Sequence, residues 1–214
     1  MNTTPEREVW DELITNSRRI RYRIKEFILR QGEPGNHVVI ILDGQVKVQR
    51  VESNGECNVL AFRGSQEVLG RTAVLWRRRR FASVEALTSC QVACVPADVY
   101  CTAMARTALA AQAVAHAHER LLESMVVQGN GHPCTRLAFA LARLAERSQG
   151  DARPDERAML CFTRLDLSRH LGVGRNTLSE LLKQLEPFGV ATGRNSIKIR
   201  DLPALRAFAS ELEI

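Results

Sequence analysis

No uncharged apolar run in the 214 residues approaches the roughly 18 needed to cross a bilayer, so a membrane span and a membrane partner are not expected. The N-terminal stretch MNTTPEREVWDEL is polar and acidic where a secretory signal would be basic and then apolar, so the chain is expected in the cytoplasm. The six cysteines, Cys57, Cys90, Cys94, Cys101, Cys134 and Cys161, include no CxxC pair. Cys90 and Cys94 are spaced C-x3-C, but SCQVACVP reads as a strand whose alternation puts both on one face, and no histidine lies close by. The cysteines therefore read as small buried hydrophobes in a reducing compartment, with no metal site and no cofactor expected. A phosphate loop and a nucleophile elbow are also missing, which argues against an enzyme. There is no internal repeat and no low-complexity linker.

What is present is ordinary for a globular chain: 45% hydrophobic and 25% charged residues, enough for one or two domains with real cores. The formal net charge of +6 favours an anionic partner.

Val9 to Arg19 is a short amphipathic stretch with Trp10, Leu13 and Ile14 as its apolar side. From Ile20 the pattern changes to short β-type runs punctuated by GEPGN, Asp43-Gly44, Asn54-Gly55 and Gly64-Ser65 turn signals. Val38 to Leu42 is a continuous apolar run that suits a strand buried on both faces. Val46 and Val48 alternate with Lys47 and Gln49, which suits one wet face. Phe81 to Val95 adds two more strands, and the set predicts a small β-barrel or jelly roll. Periodicity turns helical near Pro96. Met104, Ala108, Ala111, Ala115, His118, Leu122 and Met125 then recur at steps of three, four and seven, a coiled-coil-like seam about 25 residues long. A two-fold partner helix is its natural cover, so a homodimer is expected, with Ala111, Ala115, His118, Leu122 and Met125 between the chains. Gly129-Asn130-Gly131 reads as a hinge. The expected architecture is α+β: a β-jelly-roll or barrel sensor over 1–100, a central dimerisation helix and hinge over 101–130, and a winged helix-turn-helix over 131–214.

In that last part, Leu137, Ala138, Leu141, Leu144 and Ala145 give the helix Cys134 to Arg147 an apolar side. Ser148 to Arg157 is a polar loop and Leu160 to Phe162 a short strand or extended lead-in. Arg164 to Leu185 then reads as two helices around a tight turn. Leu167 and Leu171 share a face of the first; Leu178, Leu181, Leu182 and Leu185 follow i, i+3, i+4, i+7 on the second. Gly172 supplies the turn, Val173 plugs the corner, and small Ser168 lets the helices cross closely. The second helix keeps Gly174, Arg175, Asn176, Ser179 and Glu180 on its open side, as a helix that enters the major groove must. Double-stranded DNA is the expected partner. Arg175 suits a bidentate contact to guanine, Asn176 could pair with adenine, and Ser179 is a third candidate. Thr163, Arg164, Arg169, Thr177, Lys183, Arg194 and Lys198 are candidate phosphate contacts. GVATGRNSIKIRD reads as a two-stranded wing turning at Gly193-Arg194-Asn195, and Pro203 to Leu212 as a closing helix.

The residues Gly32-Glu33-Pro34-Gly35, Ile41-x-x-Gly44-x-Val46-x-Val48, Gly70, Arg80-Phe81-Ala82-Ser83-Val84-x-Ala86 and Leu171-Gly172-Val173-x-Arg175-x-Thr177, in this order, resemble the CRP/FNR family of bacterial transcription regulators. The resemblance runs from about Ile20 to Ile214. It implies a dimeric, sequence-specific DNA-binding regulator, with RNA polymerase as a further partner. Glu180 departs from the basic residue of well-known members; it can accept from a cytosine amino group, so the operator should differ from the best-known one. Cyclic-AMP-binding members hold the ribose with a Gly-Glu pair and the cyclic phosphate with an Arg-Ser pair. Here the first pair is Gly70-Arg71 and the second Arg80-Phe81. Leu121 and Leu122, where the adenine would lie, offer no hydrogen bonds. The intervening WRRRR also looks one residue shorter than the usual form. Cyclic AMP is therefore not expected in the usual pose. Arg80 remains as a phosphate contact, Arg77 to Arg80 otherwise read as a solvated basic face, and the effector is unknown. No cysteine precedes Cys57, against the iron–sulfur sensor of another branch. His37, His116 and His118 are read as surface or core-edge residues rather than haem ligands. The alternative is a cyclic-nucleotide-type effector-binding module whose winged helix serves protein contacts.

Overall fold

The computed structural model describes residues 5–106, 109–129, 131–148, 158–193 and 196–210. The chain divides into two compact units, 1–50 with 64–121, and 51–63 with 122–214.

The first unit opens with α1 (Pro5–Thr15) and then carries β1 (Arg18–Tyr22), β2 (Phe27–Leu29), β3 (His37–Asp43) and β4 (Val46–Val51). It continues with β6 (Val68–Leu69), α2 (Arg71–Leu75), β7 (Ser83–Ala86), β8 (Cys90–Pro96), α3 (Ala97–Arg106) and the start of α4 (Leu109–Gln128). Strands run β1-β8-β3-β6 in one sheet and β2-β7-β4 in the other. The β1–β8, β3–β8, β3–β6, β2–β7 and β4–β7 pairs are antiparallel. Alternation along β3 serves two cores at once. Val38 and Ile40 join Leu13, Tyr100 and Met104, from the helices, on one side. Val39 and Ile41 join Ile28, Val46, Val84 and Val92 on the other. The run Val38 to Ile41 is therefore buried on both faces, as its unbroken apolarity predicts.

Two expectations need correction here. The expected wet face of β4 is covered: Lys47 is 12% exposed and pairs with Glu85 of β7 at 3.4 Å, and Gln49 Nε2 donates to the same carboxylate. The central helix is described over α3 and α4, and Ala108 lies outside the described residues. Met104 does not belong to the exposed seam, because α3 turns it into the core beside Leu13 and Tyr100. The exposed stripe begins at Ala111.

The second unit contains β5 (Cys57–Arg63), the end of α4, α5 (Pro133–Ser148), β9 (Ala158–Leu160), α6 (Arg164–Leu171), α7 (Arg175–Gln184), β10 (Val190–Thr192), β11 (Ile197–Ile199) and α8 (Leu202–Ala209). Leu137 and Leu141 of α5, Leu160, Leu167, Leu178, Leu185 and Leu205 are fully buried. Each such leucine contributes roughly 1.5–3 kcal/mol of transfer free energy, so this leucine set dominates the unit's stability. The wing has three strands, not two: the order is β10-β11-β9, with Leu160 opposite Ile197. The lead-in to the helix-turn-helix pairs with the edge of β11, which would otherwise expose unpaired backbone groups. The polar loop falls largely on residues 149–157, outside the described residues, as do Asn130 of the hinge and Arg194 and Asn195 of the wing turn.

Candidate nucleic-acid interface and effector site

Thr163 starts α6 with a reciprocal cap. Its Oγ1 accepts from the Asp166 backbone N–H at 3.1 Å and donates to Asp166 Oδ2 at 2.6 Å, and its own N–H donates to that oxygen at 3.2 Å. The Thr163 hydroxyl is thus engaged in ordering the helix-turn-helix. Gly172 ends the helix at φ 66°, and the Val173 N–H returns to the Ser168 carbonyl at 3.1 Å. Leu167, Leu171, Leu178, Leu181, Leu182 and Leu185 are buried between the helices and the unit's core.

The other side of α7 is open. Arg175, Asn176, Thr177, Glu180 and Lys183 are exposed, and Ser179 is half-buried with its hydroxyl donating to the Arg175 carbonyl at 3.0 Å. Gly174 caps α7 with extended backbone and no side-chain bond, so the first-turn N–H groups have no capping side chain. Arg164, Arg169 and Lys198 are exposed, while Arg194 lies outside the described residues.

Two supports behind this surface have no signal in the sequence. Arg136 of α5 forks onto two carbonyls, donating from Nε to Val127 at 2.7 Å and from Nη2 to Leu171 at 2.9 Å. It thereby fixes the end of α4 against the end of α6. His170 of α6 lies against β5: its Nδ1 is 3.2 Å from the Val59 carbonyl, which accepts, and its ring meets Phe62 edge-on at 5.1 Å. Phe62 also stacks on Phe162 at 4.6 Å. Burial pushes the His170 pKa down to about 4; the Val59 carbonyl opposes this shift and Arg63 adds to it.

In the first unit, Gly70 precedes α2 at φ 81°, and the space a Cβ would need there is taken by the Arg80 guanidinium. Arg80 is only 4% exposed, which corrects its place in a solvated basic face. Its Nη2 donates to the His37 carbonyl at 2.8 Å and lies 3.4 Å from His37 Nδ1, while Nε and Nη1 have no partner. Burial lowers the pKa of Arg80, and burial followed by Arg80 lowers that of His37. Arg71 is half-buried beside Tyr100, Phe81 is 53% exposed, and Leu121 and Leu122 on α4 are 59% and 50% exposed. Ala111, Ala115, His118 and Met125 are exposed on the same helix; the His116 side chain is outside the described set. Burial raises the thiol pKa of Cys90, Cys94, Cys134 and Cys161, which disfavours their thiolates. The reading of all six cysteines as buried hydrophobes needs correction, since only Cys90 and Cys134 are buried, Cys57, Cys94 and Cys161 are half-buried and Cys101 is exposed. Among the described residues, no three histidine, cysteine, aspartate or glutamate side chains gather into a metal site, and no helix is long and apolar enough to cross a membrane.

Two family matches cover these parts in order: "Cyclic nucleotide-binding domain" over residues 19–107 and "Crp-like helix-turn-helix domain" over 135–208. The chain is 24% identical to the cyclic AMP receptor protein of Thermus thermophilus over 85% of its own length and 83% of that protein's. A cGMP-dependent protein kinase of Drosophila melanogaster is 32% identical over 44% of the chain, which spans only 8% of the kinase. A solved transcriptional regulator of the CRP/FNR family from Thermus thermophilus superposes with TM-score 0.65 at 22% identity, covering 90% of this chain and 98% of that one.

Proposed function

This chain belongs to the CRP/FNR family of transcription regulators, and we propose that it reads a two-fold symmetric operator as a homodimer by placing α7 in the major groove. The observation that carries this reading is the division of α7: Leu178, Leu181 and Leu182 buried on one side, Arg175, Asn176, Thr177 and Glu180 exposed on the other. Arg175, Asn176, Ser179 and Glu180 read base edges. Ser179 does so through its lone pairs, since its proton is committed to the Arg175 carbonyl. Arg164, Arg169, Thr177, Lys183, Arg194 and Lys198 hold phosphates. Thr163 contributes chiefly by capping α6. The dimer forms along Ala111, Ala115, His118, Leu122 and Met125, a stripe widened by Val114 and Leu121, which are 68% and 59% exposed. RNA polymerase is the expected protein partner at the promoter.

The residues of the sensor fit a cyclic nucleotide only in part. Arg80 offers two unpartnered N–H groups, as a phosphate oxygen requires. Arg71 replaces the carboxylate that would accept from a ribose hydroxyl, and exposed Phe81 cannot donate to the phosphate. Cyclic AMP in the usual pose is therefore not the effector in this reading.

Binding to a panel of single-base operator variants at several salt concentrations tests the assignment. Arg175→Ala should weaken specific binding by ~1–3 kcal/mol per half-site and relax preference at one base pair. Lys183→Ala should weaken binding to all sequences and lower the salt slope by about one unit. If Arg175→Ala lowers affinity evenly across the panel, Arg175 is a phosphate contact; if it changes nothing, α7 is not the reading element.

A further inference from the structure

The WRRRR segment contains a second cationic feature, separate from Arg80. A cavity of about 500 Å³ lies among the turn between β2 and β3, the end of α2 and the start of α3. Arg77, Arg78, Arg79, Asn36, Asp98 and Cys101 are among the residues that line it; Arg80 is not. The recess is open to solvent, and its volume is within the range of small-molecule sites. Three arginines and a single carboxylate residue, Asp98, line it.

Its walls are fixed by backbone contacts. A Cβ on Gly35 would stand 2.6 Å from the Ala73 carbonyl oxygen, so the turn lies flat on α2. The Arg78 N–H donates to the Ala73 carbonyl at 2.9 Å, the Ala97 N–H to Asn36 at 3.0 Å, and the Arg80 N–H to Glu33 at 2.8 Å. Arg79 Nη1 donates to the Gly32 carbonyl at 2.8 Å, which pins that guanidinium to the wall. Arg77 adopts φ 51°, a left-handed backbone that a bulky side chain occupies only under local constraint. This conformation lets the chain turn with three successive arginines at one recess. Arg77 and Arg78 are exposed, and the Arg78 guanidinium lies 6.0 Å from the ring centroid of Trp76.

We propose that this recess binds a polyphosphate anion of triphosphate size, free or carried on a nucleoside. Guanidinium forks match phosphate oxygens in pairs, and three of them in one rigid cavity call for more negative charge than a single phosphate brings. A merely solvated basic face needs neither a cavity nor a strained arginine.

The test uses the full chain carrying Trp10→Phe, which leaves Trp76 as the single tryptophan reporter. Sodium triphosphate is titrated in 150 mM sodium chloride, about the salt that screens loose surface attraction beyond ~8 Å. Sodium sulfate at matched ionic strength serves as the control anion. The expected result is a saturable change in Trp76 emission with a micromolar midpoint for triphosphate and a midpoint at least tenfold higher for sulfate. Arg77→Gly and Arg78→Gln should each raise the triphosphate midpoint about tenfold. Arg77→Gly should melt close to the parent protein, since glycine accepts the left-handed backbone freely, so its lost binding cannot be laid to unfolding. The pair Arg19→Gln and Arg21→Gln, which removes two exposed arginines of β1 away from the cavity, should leave the midpoint within twofold. Adenosine triphosphate binding more tightly than triphosphate assigns the nucleoside-bearing source; equal midpoints assign the phosphate chain alone, and either supports the site. No saturation below millimolar triphosphate, an equal response to sulfate, or an equal loss in the β1 pair overturns the proposal.

Discussion

Acidification should loosen β5 from the helix-turn-helix through His170. The ring is held neutral by burial, with its pKa near 4 against an unfolded value near 6.5. A base whose folded pKa is depressed binds fewer protons folded than unfolded between those two values. Its contribution to stability is therefore complete above about pH 6.5 and is lost as pH falls toward 4. The shift corresponds to ~3 kcal/mol in full, of which about 2 kcal/mol is lost between pH 7 and pH 5. Phe62, itself stacked on Phe162, and the Val59 carbonyl lie against the ring, and Arg63 is the cation that opposes a second proton there. Urea unfolding of the second unit, followed at pH 7 and pH 5, should show wild type losing about 2 kcal/mol relative to His170→Phe, in which the ring has no proton to gain. The phenylalanine leaves the Val59 carbonyl without its donor, but that cost is the same at both pH values and cancels in the comparison. A stability gap unchanged between pH 7 and pH 5, or a His170 resonance titrating near 6.5, would refute the reasoning.

Three other perturbations follow from the geometry. Leu122→Glu puts a charge in the exposed stripe of α4 and should give monomers with weak DNA binding; a native protein that is monomeric by light scattering would sink the dimer reading. Arg136→Ala removes both donors that join the end of α4 to the end of α6 and should cost about 1.5–3 kcal/mol in urea unfolding; Arg136→Lys should restore little, since an ammonium cannot fork onto two separated carbonyls. Cyclic AMP should bind poorly by calorimetry and leave DNA affinity nearly unchanged; micromolar binding with a matching gain in DNA affinity would overturn this.

The helix-turn-helix was legible because its determinants are local. A leucine period, a turn glycine and a small serine at the crossing all lie within one stretch of chain, and each acts through neighbours a few residues away. The double burial of β3 was legible for the same reason: an apolar run without alternation has only one comfortable environment. What the sequence hid depends on pairings between distant residues. Lys47 looks wet until Glu85, on another strand, is found beside it. Met104 fits the heptad of the central helix, and only the placement of α3 against α1 and β3 shows that it fills the core instead. A short strand near Leu160 is one reading of the sequence, but its place at Ala158–Leu160 and its pairing with the wing depend on the edge that β11 offers it. Arg136 and His170 carry no motif, since their roles are defined by a carbonyl nine residues away and another on β5.

The four consecutive arginines show most plainly how identical residues acquire different chemistry. Alternate exposure would be expected if the segment were an extended strand on a wet surface, and uniform exposure if it were a loop. The chain does neither. Arg77 turns left-handed, Arg79 is anchored on Gly32, and by Arg80 the side chain has passed inward beneath Gly70. A buried guanidinium with two unpartnered donors costs several tenths to a few kcal/mol for each lost water contact. The charge of Glu33 offsets part of that burial cost, while among the described hydrogen bonds and ion pairs no carboxylate is bonded to the guanidinium. The replacement of the neighbouring acceptor by Arg71 sharpens the point. In the proposed reading the site keeps, and increases, its demand for negative charge while Arg71 stands where a carboxylate would identify a ribose. Selection among ligands at Arg80 would then be set by charge and by the fit beneath Gly70 rather than by the ribose that distinguishes a cyclic nucleotide from other phosphates.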